Sequence, residues 1–98
     1  MEKHKPHYPL VEVKACIQAG KFRATTIAVK GASALGFDMD GMRAVVAGLT
    51  MQDFYKSMTT YKNMHIWQDV YRPQTQAGEV YLKLTILSGL LIVSFKEL

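Results

Sequence analysis

The chain has 98 residues, 49% of them hydrophobic and 20% charged, with a formal net charge of +4. That length fills one domain, 1–98, and a composition this apolar excludes a disordered chain. The single cysteine, Cys16, excludes an internal disulfide and a cysteine-rich zinc site.

The opening stretch MEKHKPHYPL has no apolar region of the kind a secretion signal needs, and the longest apolar run, 84–95, is too short to span a bilayer. A cytoplasmic address with no membrane partner is expected. After Pro9, the residues Leu10, Val13 and Ile17 follow helical spacing, and Gly20 is placed to end that helix. Phe22 and Arg23 form a short extended or loop segment. Thr25 or Thr26 caps a second helix through Leu35, closed by Gly36; Gly31 inside it costs roughly 1 kcal/mol in propensity. Asp40 caps a third helix, in which Met42, Val45, Val46 and Leu49 make a core stripe. Residues 1–30 carry six Lys and Arg against two Glu, whereas 31–98 balance six basic against six acidic side chains. The excess in the first third suits a phosphate-rich or acidic partner, and equally a solvated helix face.

From Phe54 onward, four segments rich in β-branched and aromatic residues predict strands at 54–61, 66–73, 78–87 and 90–97. Ser88-Gly89 reads as a two-residue hairpin turn between the last two. That register sets Leu82 opposite Phe95, Leu84 opposite Val93 and Ile86 opposite Leu91, six core residues on one side. The other side receives Tyr81, Lys83 and Thr85 opposite Lys96, Ser94 and Ile92. The facing of the two earlier strands stays open, and Pro73 ends the second of them. The expected class is α+β, with three N-terminal helices packed on one face of a C-terminal antiparallel sheet.

Metal binding is not expected. His4 and His7 have no third ligand nearby, and Asp38-Met39-Asp40-Gly41 carries its glycine at the wrong place for a calcium loop. Cys16, on an apolar helix, reads as a small core residue, and no glycine-rich phosphate loop or nucleophile elbow is present. What remains is the outer sheet surface: Tyr81, Lys83 and Lys96 by register, with Lys56, Gln68 and Arg72 as further candidates. Amines, an amide and a phenol on one sheet face suit RNA, where cations meet phosphates and aromatic rings stack on unpaired bases.

The blocks Asp53-Phe54-Tyr55-Lys56-Ser57-Met58-Thr59-Thr60-Tyr61, Ile66-Trp67-Gln68-Asp69-Val70-Tyr71-Arg72-Pro73, Val80-Tyr81-Leu82-Lys83 and Leu91-Ile92-Val93-Ser94-Phe95-Lys96-Glu97 resemble the MqsR family. These are toxins of type II toxin–antitoxin modules with a RelE-like fold, and the resemblance covers essentially the whole chain. It implies a RelE-like mRNA interferase: an endoribonuclease that cuts messenger RNA at GCU-like sites and is silenced by a cognate antitoxin. The antitoxin implied has a zinc-binding N-terminal domain and a helix-turn-helix C-terminal domain, so any association with DNA is indirect and the zinc is the partner's. No cofactor is implied for the toxin itself.

The family's active-site residues fall on Lys56, Gln68 and Tyr81; Arg72, Lys83 and Lys96 are expected as RNA phosphate contacts. RNA carries its own nucleophile, so an enzyme need only align the 2′-hydroxyl with the departing 5′-oxygen. Lys56 would stabilise charge on the phosphoryl oxygens, Gln68 would orient a base edge or phosphate, and Tyr81 would relay a proton. The competing readings are a non-catalytic RNA-binding module and a protein-interaction regulator.

Overall fold

In the computed structural model, which describes residues 1–98, the four expected strand segments are β3 (Phe54–Thr59), β4 (Trp67–Tyr71), β6 (Gly78–Ile86) and β7 (Leu90–Glu97). They lie side by side in that order, each antiparallel to the next. Three shorter strands complete the sheet. β1 (Glu2–Lys3) pairs antiparallel with β3, β2 (Phe22–Ala24) pairs parallel with β7, and β5 (Gln74–Thr75) pairs with β6. The sheet is therefore mixed and not antiparallel throughout, because the chain leaves β2 through helices and returns to β7 in the same direction. No helix is long and apolar enough to cross a membrane.

The helices are α1 (Leu10–Gln18), α2 (Thr26–Ala34) and α3 (Met39–Ala47). Of the two threonines offered as the cap of α2, Thr25 is the one used; its hydroxyl accepts the Ala28 N–H at 3.0 Å. The cap of α3 is Asp38, not Asp40. The Asp38 backbone is extended and its carboxylate accepts the Gly41 N–H at 2.8 Å, whereas Asp40 already sits in the first turn and pairs with Arg43 at 2.6 Å. Val13 of α1, Ala28 and Ala32 of α2, and Met42 and Val46 of α3 join Tyr71, Leu82, Leu84, Leu90, Ile92 and Phe95 of the strands in one buried core.

The β6–β7 hairpin follows the expected register only at its far end, where Tyr81 faces Lys96, Leu82 faces Phe95 and Lys83 faces Ser94. A bulge then shifts the pairing by one, so Leu84 faces Ile92, Thr85 faces Leu91 and Ile86 faces Leu90. The turn is accordingly the three residues 87–89, with Ser88 and Gly89 at φ +51° and +102°. Ile92, expected outside, is fully buried with Leu90, while Leu91 and Val93 are only half-buried. The cause is the parallel partner: Leu90 and Ile92 pair with Phe22 and Ala24, and the Leu90 N–H donates to the Lys21 carbonyl at 2.9 Å. That edge contact selects the register that a hairpin alone would not.

Candidate active site

Alternation along a strand sends neighbouring side chains to opposite faces. Tyr71, Leu82 and Phe95 stand in one cross-strand row in the core, so the next row along, Val70, Lys83 and Ser94, faces away from it. Lys56 is paired with Val70 and joins that row from β3. Gln68 lies opposite Met58 two residues along, on the same face. Tyr81 and Lys96 face each other two residues the other way. Arg72 follows buried Tyr71 and so turns outward, beyond the end of β4.

All six candidates thus share one face: Lys56 from β3, Gln68 from β4, Arg72 just past it, Tyr81 and Lys83 from β6, and Lys96 from β7. Val70 is the floor beneath them, fully buried yet outside the core cluster that the helices join.

Lys56 reaches this face because of an irregularity. Strict alternation puts Phe54 and Lys56 on the same side. A bulge at Tyr55 pairs Phe54 with Tyr71 and Lys56 with Val70 instead. Phe54 consequently packs edge-on against Tyr71, ring centroids 5.4 Å apart, and Lys56 points outward. Bulges commonly re-aim a side chain in this way.

The electrostatics divide the cations into two kinds. Lys56 and Arg72 are each engaged by a carboxylate. The Lys56 ammonium donates to Glu2 at 2.8 Å, and the Arg72 guanidinium donates to Glu79 at 3.4 Å, which leaves its Nε buried and without a partner. The bond from Glu2 raises the Lys56 pKa above its ordinary value, and the same bond lowers that of Glu2. Lys83 and Lys96 have no carboxylate partner within ion-pair distance. Their ammonium groups flank the Tyr81 ring, 5.7 and 5.6 Å from its centre. Partial burial, with Lys96 and Lys56 as like-charged neighbours, pushes the Lys83 pKa down. Tyr55 adds a second ring, with the Arg72 guanidinium 4.9 Å and the Lys56 ammonium 5.4 Å from its centre.

Three members of this surface were not found from sequence. Glu2 enters on a two-residue strand, Tyr55 through a bulge, and Glu79 through its approach to Arg72. Glu2 and Tyr55 leave no periodic trace, whereas Glu79 shares the alternation that sets Tyr81 and Lys83 outward and was open to the same register argument. A face with amines, a guanidinium, an amide and a phenol at its centre can grip a phosphodiester, place donors on its non-bridging oxygens and exchange a proton with it.

A family model described as "Motility quorum-sensing regulator, toxin of MqsA" matches residues 5–97. The mRNA interferase toxin MqsR of Escherichia coli (strain K12) is 55% identical over 97 residues, covering 99% of this chain and 99% of that protein.

Proposed function

Because the chain belongs to the MqsR toxin family, we propose that it is an endoribonuclease toxin that cuts messenger RNA on the outward face of β3, β4, β6 and β7. The supporting observation is that Lys56, Gln68 and Tyr81, from three separate strands, stand on that one face around Val70. GCU-like sites are the proposed targets. The proposed inhibitor is a cognate antitoxin, the counterpart of the MqsA in the family description, with a zinc-binding domain and a helix-turn-helix domain through which any contact with DNA is made. The proposed location is the cytoplasm.

In the proposed reaction the 2′-hydroxyl attacks the adjacent phosphorus and the bond from phosphorus to the 5′-oxygen breaks. The attacking oxygen loses its proton and the departing oxygen gains one. The products are a 2′,3′-cyclic phosphate and a 5′-hydroxyl. Lys56, kept as ammonium, stabilises the charge that grows on the phosphoryl oxygens. Gln68 orients the phosphate or the neighbouring base edge through its amide. Tyr81 carries a proton between solvent and the reacting oxygens, with the Lys83 and Lys96 ammonium groups beside its ring. Arg72, Lys83 and Lys96 hold phosphates along the strand.

The test uses two oligonucleotides containing GCU, one all-RNA and one with a 2′-deoxy residue at the cut site, each incubated with the protein in EDTA. Cleavage of the first alone is expected, and Lys56→Ala and Tyr81→Phe are each expected to lower its rate by about 10²-fold or more while remaining folded. A gel shift without cleavage would make the chain an RNA-binding module, and neither outcome would leave a protein-interaction regulator.

A further inference from the structure

The segment preceding α1 is fastened to the sheet at many points. Glu2 and Lys3 pair with Met58 and Ser57, and the Thr59 N–H donates to the Met1 carbonyl at 3.0 Å. The backbone N–H groups of His7 and Tyr8 donate to the two carboxylate oxygens of Asp69 at 3.0 and 2.9 Å, and Asp69 is fully buried. The Tyr8 hydroxyl hydrogen-bonds that of Thr85 at 3.0 Å. The His7 ring stacks on Trp67 with centroids 5.2 Å apart, and the Lys3 ammonium lies 4.2 Å from the centre of the Trp67 ring. Segments leading into a fold usually fray unless held. Here the tethers deliver one functional group to the outward face: the carboxylate of Glu2, level with Met58 and 2.8 Å from the Lys56 Nζ.

We propose that Glu2 is a positioning residue for Lys56, fixing its ammonium on the outward face in the free protein and yielding it to the phosphate of a bound RNA strand. This rests on the catalytic role proposed for Lys56. A lysine has a long flexible stem, and a partner on a rigid neighbouring strand narrows where its ammonium points before substrate arrives. A carboxylate and a phosphate compete for the same donor, so Glu2 also opposes ground-state binding. Removing it should tighten binding and slow turnover together, the signature of a residue that opposes ground-state binding while it orders the group that acts in the transition state.

The proton balance gives a second signature. The charged and titratable groups facing Lys56 are Glu2 from β1, Tyr55 beside it on β3, Tyr81 and Lys83 from β6, and Arg72 just past β4, whose guanidinium shares the Tyr55 ring with it. Its neighbours on β4, Gln68 and Val70, are uncharged. Glu2 is the largest influence and it raises the Lys56 pKa. Without Glu2 the ammonium is lost at a lower pH, and activity on the alkaline side falls earlier.

Cleavage kinetics of a GCU-containing RNA, measured across pH at low salt, decide the matter for the wild type, Glu2→Gln, Glu2→Asp and Lys56→Ala. For Glu2→Gln we expect kcat to fall by about tenfold, KM to fall rather than rise, and the alkaline limb to move to lower pH. Glu2→Asp, which keeps the charge but shortens the reach of the hydrogen bond, should place the limb between those of the wild type and Glu2→Gln. Wild-type kinetics in Glu2→Gln beside an inactive Lys56→Ala would overturn the role of Glu2 and leave that of Lys56 standing. A lower kcat with a higher KM and an unmoved limb would mark a loosened strand and overturn it equally. Full activity in Lys56→Ala would instead remove the premise.

Discussion

Gly31 occupies the middle of α2, a place where glycine is costly, and the reason is the approach of β7. A Cβ there would collide with the Phe95 carbonyl oxygen and lie 3.7 Å from the Lys96 Cβ. The backbone of α2 therefore rests directly on the strand that carries Lys96. Propensity alone makes Gly31→Ala a stabilising change of roughly 1 kcal/mol. The collision reverses the sign, because the atom met is backbone and cannot rotate aside. We expect Gly31→Ala to destabilise the protein by about 1–3 kcal/mol, the range for overpacking a fitted contact, read as a lower urea midpoint with an unchanged slope. From sequence Gly31 reads only as a weakness in a helix, since helical spacing says nothing of how closely a strand passes behind it.

At the level of elements, the caps and bulges decide what the hydrophobic pattern leaves open. The two aspartates at the start of α3 are chemically alike, but only Asp38 has an extended backbone that lets its carboxylate turn back onto the Gly41 N–H. Asp38→Ala should cost about 1 kcal/mol as a lost N-cap. Asp40→Ala should cost less, since the pair it makes with Arg43 is open to solvent and screened. Thermal melts of the two variants side by side check the order: equal losses would deny Asp38 its special role, and a larger loss in Asp40→Ala would return the cap to Asp40. α1, α3 and the β6–β7 hairpin are legible because apolar residues repeat at the period of each element. α2 is legible because its ends carry cap residues, and β3 and β4 only through β-branched and aromatic composition, which leaves their facing open. β1, β2 and β5 have two, three and two residues, too few to establish any period. The bulge in β7 is equally hidden. It takes its register from β2, which is remote in sequence, and so Ile92 exchanges places with Val93 between expectation and fold. The bulge at Tyr55 matters more for the site, because without it Lys56 would lie on the side of Phe54.

For the whole molecule, charge counted along the chain and charge counted on the surface disagree. The net +4 lies in residues 1–30, yet the cations gathered on the outward face are Lys56, Arg72, Lys83 and Lys96, all from the stretch whose charges cancel. The cancelling acids are mostly spent elsewhere: Asp38 caps α3, Asp40 holds Arg43, Asp53 accepts from the Thr50 N–H, and Asp69 is buried against His7 and Tyr8. Folding separates the signs, so a neutral segment presents a positive face. That separation, and not the pI, should govern RNA affinity. Binding of an uncleavable RNA carrying a 2′-deoxy residue at the cut site, followed across salt concentrations, gives a line of log affinity against log salt. Its slope should weaken by about 0.7 for every phosphate of the single strand that the protein ceases to neutralise. Lys96→Ala is expected to lower the slope by about that amount. Lys14→Ala removes the same unit of net charge from α1, and should leave the slope unchanged. Equal effects from the two would mean that the strand responds to the total charge of the protein, and the outward face would lose its claim to be where RNA lies.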